Sequence, residues 1–364
     1  MELDQFEPDN EPIEKIIHWL AVERLDKDLK RAAEQMTRDD VRLMLKLYYD
    51  QQRQRVRMNN QLDAAKKDNR PYDLFEWAVR NYATFEKNCQ NSLDTWSRQY
   101  PIVADWAKPH LFGVGPLICA GLVSNLAEDT PKTVGHWWSY AGLQPMQTWQ
   151  GEEKSKQIIG DIIGKMAGPI DLDDLFQVAL NTKRKGETLR RFATTTATGT
   201  QRPLTVQNLA KALARRPWNA FLKTILWRFA QVQIKLYHRY PDKSQYGPLY
   251  YERKAYEQDL NERGELAHEA ERALREKRYG RETAAYKHYA AGRLPPAHIQ
   301  ARAYRWIEKM FLAHWHQVSW ELQHHTPVVR PWVVEYKGHT NIIPPPGWPP
   351  PGFKYKKPPD KKDD

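Results

Sequence analysis

Gly113 and Gly115, in the run Leu111-Phe112-Gly113-Val114-Gly115-Pro116-Leu117-Ile118-Cys119-Ala120-Gly121-Leu122, are the residues whose type and spacing most directly offer chemistry. That chemistry is anion binding. A glycine accepts positive φ in a tight turn and lets backbone N–H groups come close to a ligand. The apolar run after Gly-Val-Gly is long enough to begin a helix, whose start carries unpaired N–H donors and the positive end of the dipole. Both favour a phosphate. The segment therefore has the parts of the turn and second helix of a helix-hairpin-helix unit, with Gly113, Val114 and Gly115 as the candidate contacts to a nucleic-acid backbone. An ordinary glycine-containing helix corner would use the same residues, so the short core leaves both readings open.

Charge points the same way. Lysine and arginine outnumber the acids 56 to 45, a formal net charge of +11 that favours a polyanionic partner. Lys132, Lys183, Arg184, Lys185, Arg215 and Arg216 are the basic residues expected to add sequence-independent affinity for DNA. Lys183-Arg184-Lys185 and Arg190-Arg191 lead into the hydroxyl-rich run Thr194 to Thr200, which suits either sugar-phosphate contacts or a solvated loop.

Other chemistries find less support. Two cysteines, Cys89 and Cys119, exclude a disulfide framework and a cysteine-based zinc site, and fit a reducing cytoplasm. His314, His316, His324 and His325 lack the spacing of a known metal motif, and no metal site is expected in this chain. Gly160 to Met166 invites comparison with a P-loop, but the spacing is one residue short, and Met166 stands where a hydroxyl would hold Mg²⁺. Asp171, Asp173 and Asp174 lack the glycine a calcium loop needs, so a helix N-terminus is the better reading. No apolar run approaches the ~18 to 20 residues that span a bilayer.

The pattern continues beyond the hairpin, through Lys132-Thr133-Val134-Gly135-His136-Trp137-Trp138-Ser139-Tyr140-Ala141-Gly142-Leu143-Gln144-Pro145. From Phe112 to Pro145 the chain resembles the C-terminal half of the 116/110/902 family of insertion-sequence transposases. There a "PGIGP" hairpin is followed by "LAAY.GL.P", and both halves are matched here in order. The resemblance implies DNA binding in transposition or recombination, with structured RNA as a further partner. It also implies a RuvC-like domain with acidic ligands for Mg²⁺, which residues 1–37 are too few to form. Metal chemistry would then come from a separate nuclease-domain protein. The family's serine nucleophile aligns with Trp149 or Gln150, neither of which can attack a phosphodiester. Ser155 and Thr198-Gly199 are the displaced alternatives, so the catalytic residues stay open. A non-catalytic helix-hairpin-helix accessory protein and a protein-assembly factor are the competing readings.

The elements that must position these residues read as helices. The expected fold is mostly α: an elongated arm, a helical domain containing the helix-hairpin-helix, and a disordered proline-rich tail. Residues 1–37 read as a polar leader. Residues 38–101 form the coiled-coil-like arm, through which oligomers could form. Thr37 to Asp40 looks like a capping box, and Phe75, Val79, Tyr82, Phe85, Cys89, Leu93, Trp96 and Tyr100 make one apolar stripe. Residues 102–240 hold the transposase-like domain, with an insertion at about 146–203. There Pro217 is expected to start a helix with Arg228, Lys235 and Arg239 on its basic side. Residues 241–326 are charged and helical, with one long exposed helix expected over 250–290, and 327–364 form the Pro/Lys-rich tail. A cytoplasmic protein of bacterial or phage origin, without a membrane partner, is expected.

Overall fold

The computed structural model describes residues 27–144, 151–165, 168, 186–196, 199–276, 279–329 and 342–356. The fold is mostly helical. The described residues form no extended strand, only an isolated antiparallel bridge between Thr195 and Gln201. No helix among them is long and apolar enough to cross a membrane. The chain divides into two compact units, one of residues 1–134 with 225–364 and a smaller one of residues 135–224.

In the larger unit, α1 (Lys27–Glu34), α2 (Arg38–Lys67) and α3 (Asp73–Ser97) come first. Helix α2 begins as expected. Thr37 Oγ1 accepts from the Asp40 amide at 3.2 Å, and Asp40 Oδ2 accepts from the Thr37 amide at 2.9 Å, so two orphan donors are satisfied reciprocally. Contacts between α2 and α3 run in opposite senses along the chain. The Trp96 indole donates to the Met36 carbonyl, Gln90 to Tyr48 and Arg55 to Glu86, which makes the pair antiparallel. Arg55 is thus held at 2.6 Å by a carboxylate only 7% exposed, and the basic run of α2 is in part structural.

A π-helical turn (Ile102–Ala107) and the short α4 (Lys108–His110) lead into the glycine turn. Helix α5 (Pro116–Asn125) follows and packs on both α2 and α3. Helix α5 is apolar all round, so it buries almost every residue from Ile118 onward.

Later in the chain come α10 (Ala220–Arg239), α11 (Gly247–Glu262), α12 (Ala267–Glu276), α13 (Ala284–Ala290) and α14 (Pro296–His324). Aromatic side chains fill the space between α10 and α14. Phe229 stacks on Phe311 with centroids 3.7 Å apart, and Tyr246, Trp315 and Trp106 close around that pair. The expected single helix over 250–290 is three helices. Gly264, at φ +78, ends the first with a Glu265 amide to Leu260 carbonyl bond, a left-handed cap that a continuous helix cannot contain. Glu257, 1% exposed, is ion-paired there with Arg253 and Arg302, and Arg302 also binds Glu269.

The described part of the proline-rich tail, 342–356, is packed instead of standing free. The Trp348 indole donates at 2.8 Å to Glu321 Oε2, the Tyr355 hydroxyl at 2.7 Å to the same oxygen, and the Trp106 indole at 2.8 Å to the Pro346 carbonyl. Prolines have no N–H, so the proline run itself is fastened through a carbonyl that accepts from Trp106, while the flanking Trp348 and Tyr355 supply the donors to Glu321.

The smaller unit contains α6 (Gly135–Tyr140), α7 (Glu152–Ile163), α8 (Gly186–Thr194) and α9 (Val206–Ala214). Ile159, Ala193, Leu209, Ala210 and Ala212 form its core. Helix α6 ends in a Schellman motif: the Leu143 amide donates to Trp138 and the Gly142 amide to Ser139, with Gly142 at φ +68. The stretch Gly160 to Ile163 lies within α7, so it forms a helix and not a phosphate-binding loop. Pro217 lies ahead of α10, which starts at Ala220 with Asn219 Oδ1 accepting from the Leu222 amide.

Candidate nucleic-acid interface

The turn between α4 and α5 is built from its glycines outward. Gly113 sits at φ +84, where an L side chain is strained, and has no room for one. Phe112 is held at both backbone groups: Gln233 Nε2 donates to its carbonyl at 2.8 Å, and its amide donates to Gln245 Oε1 at 3.1 Å. Gln233 is wholly buried, and its own Oε1 accepts from Ser244. The turn is therefore fixed from behind by two glutamines more than a hundred residues away, which prediction from local spacing could not find.

Gly115 caps α5 in an extended conformation, its carbonyl accepting from Ile118 and Cys119, and Pro116 occupies the first helical position, where its lack of N–H costs nothing. Among the described residues none accepts from the N–H groups of Gly113, Val114, Gly115 or Leu117. Helix α5 has no acid in its first turn. Its other end is covered by cations, with Arg42 Nε donating to the Ser124 carbonyl at 2.8 Å and Arg38 to the Leu126 carbonyl at 2.7 Å. One end of the dipole is thus answered by side chains, and the glycine end presents donors only.

Beside the turn lies a group the sequence did not single out. Lys243 Nζ is 5.6 Å from the ring centroids of both Phe112 and Tyr240, and these rings meet edge to face. Lys243 is exposed and makes no ion pair among the described residues. A lysine resting on aromatic faces keeps its ammonium close to the turn while remaining free to meet an anion.

The other expected contacts belong to other elements. Lys132 is exposed in a loop tied to α14, where Thr130 donates to Gln323 and the Pro131 carbonyl meets His316 Nε2 at 2.6 Å. Arg215 and Arg216 are exposed in the smaller unit. Lys183, Arg184 and Lys185 lie outside the described residues, as do Trp149, Gln150, Thr198 and Asp171 to Asp174. On α10, Arg228 stacks 3.6 Å from the Tyr49 centroid and so serves packing.

Among the described residues the candidate nucleophile Ser155 is buried and the candidate metal ligands form no cluster. The Ser155 hydroxyl is completely buried and has no hydrogen-bond partner, so it cannot reach a phosphodiester in this conformation. Burial pushes the Cys119 thiol up to about 12, which keeps it an inert core group. No cluster of histidine, cysteine and carboxylate suited to a metal occurs among the described residues. His314 instead joins Tyr246 to the Ile343 carbonyl.

No protein family, curated protein or solved structure matches this chain. The likeness to the insertion-sequence transposases thus stands on the residues from Phe112 to Pro145 alone.

Proposed function

We propose that this chain binds DNA through the backbone at Gly113 to Leu117, gripping a phosphate without reading bases, and acts in DNA transposition or recombination. The observation that carries the reading is the set of N–H groups at the start of α5 without acceptors, beside the exposed, unpaired Lys243. Support also comes from the two linked glycine motifs, each with its first or capping glycine at positive φ. Strand cleavage is assigned to a partner polypeptide that supplies an acidic domain with Mg²⁺. This chain contributes grip and placement.

The test is binding of the purified chain to labelled duplex, branched DNA and structured RNA across a salt series, beside Gly115→Glu. That substitution puts its Cβ in open space, because nothing lies within 4 Å of a Cβ at Gly115. A carboxylate at a helix start does not weaken the helix but repels a phosphate. Steep salt dependence, lost in the variant with helical circular dichroism retained, supports the reading. Weak binding that the variant leaves unchanged rejects it in favour of a protein-assembly role.

A further inference from the structure

The smaller unit contains a cleft of about 490 Å³ in which three cations from two segments converge. Arg202 is set rigidly. Its amide donates to the Thr194 carbonyl at 2.8 Å, its Nε to the Ala193 carbonyl at 2.8 Å and its Nη2 to the Phe192 carbonyl at 2.5 Å. The guanidinium thereby covers the C-terminal carbonyls of α8 and still has Nη1 donors with no acceptor among the described residues. Ahead of it, the Thr196 amide donates to the Thr200 carbonyl and Gly199 takes φ +84.

Two more cations come from α9. Arg215, at its C-cap, lies over the Phe192 ring at 4.0 Å, and Lys211 stands one turn earlier. Lys211 is exposed and has no ion pair among the described residues. The hydroxyl residues Thr195 and Thr196 line the same space. The one acid in the lining, Glu152, is paired with Lys156 on its own helix at 3.3 Å. What remains is a concave, net-positive surface with the Nη1 donors of a fixed guanidinium, a free ammonium and hydroxyl residues, which is the chemistry that holds phosphate oxygens. Its volume falls within the ~300 to 1,000 Å³ range of small-ligand pockets, larger than one phosphate needs. A duplex presents a convex face with two strands, whereas a single strand can send one phosphate and its sugar into such a recess.

We propose that this cleft is a second nucleic-acid site, which takes the phosphodiester backbone of a single strand. It rests on the nucleic-acid reading above and extends it, since a protein that grips duplex at one place and a displaced strand at another can hold DNA open for a partner enzyme. Neither Lys211 nor the lining threonines belong to the glycine turn, so the two sites separate by mutation.

The experiment uses the full chain with a labelled oligothymidylate, which has no secondary structure, and compares Lys211→Ala, Lys211→Glu and Gly115→Glu. Lys211→Ala is expected to weaken strand binding about tenfold at low salt and to make the salt slope shallower by about 0.7. Lys211→Glu weakens it further. Acylation of Lys211 by an activated ester, read by mass spectrometry, is slowed by the strand in the parent and equally in Gly115→Glu. Unaltered affinity in both Lys211 variants, with Lys211 unprotected while the strand is bound, overturns the cleft and leaves the hairpin reading standing. A parent that binds duplex but no single strand does the same. A parent that binds neither overturns both.

Discussion

Gly113 and Leu236 meet so closely that a Cβ on the glycine would lie 2.1 Å from Leu236 Cδ1. The contact joins the glycine turn to a half-buried residue of α10. It makes the two glycines of the motif unequal: Gly113 is required by packing and by φ, Gly115 by neither. Gly113→Ala is expected to destabilise the larger unit by about 2 to 4 kcal/mol, from positive-φ strain plus overpacking. Adding Leu236→Ala should recover the steric part only. Urea denaturation of the two single variants and the double variant measures this, and a Gly113→Ala protein as stable as its parent would refute the contact.

How far these features could be read beforehand depends on their range. The Thr37 to Asp40 capping box, the stripe through Cys89, Leu93 and Trp96, and the Gly113 turn were all legible, since each is local and has a period or a residue type that only one conformation satisfies. The partners of Phe112 were not, because Gln233 and Gln245 carry no local signal and reach it only after α10 has folded back. The same applies to the proline segment. Its composition reads as an extended tail, and its fastening depends on donors from Trp106 and on the buried carboxylate of Glu321. In the smaller unit Arg215 was singled out as a basic residue, but Lys211 and the bonds that tie Arg202 to the end of α8 were not.

His314 gives the larger unit a pH dependence. Its Nε2 faces the Ile343 carbonyl at 2.9 Å, which can only accept, so Nε2 carries the proton and Nδ1 accepts from the Tyr246 hydroxyl at 2.8 Å. Burial lowers its pKa from 6.5 to about 4. The unfolded chain therefore binds a proton that the folded chain refuses between those values. The contribution of this group is complete above about pH 6.5 and declines as pH falls towards about 4. The loss approaches about 3 kcal/mol. His314→Gln lacks this titration, so the gap in urea stability between parent and variant should narrow steadily from pH 7 to pH 4.5. A gap independent of pH would mean that the imidazole titrates normally.

Trp348 is 6% exposed, and its indole is bound to a carboxylate that is itself 2% exposed. Trp348→Ala removes a large buried ring and one donor to Glu321, an expected cost of about 3 to 5 kcal/mol. The segment also touches the approach to the glycine turn, because a Cβ at Gly347 would lie 2.3 Å from His110 Nδ1. Limited proteolysis should then cut the variant within 342–356 far faster than the parent. Equal cutting would show that the segment is not fastened as described.

Lys243 provides the sharpest test of the proposed phosphate contact. It is exposed, rests on Phe112 and Tyr240, and makes no ion pair among the described residues, so Lys243→Ala should leave stability within about 0.5 kcal/mol of the parent. Loss of one cation from the contact makes the duplex salt slope shallower by about 0.9, since each neutralised phosphate releases that fraction of a counterion. Lys132→Ala, in a loop tied to α14, serves as the comparison. Hairpin-centred binding predicts a change in slope for Lys243→Ala and none for Lys132→Ala. The reverse pattern would move the duplex away from the glycine turn and towards the end of α14.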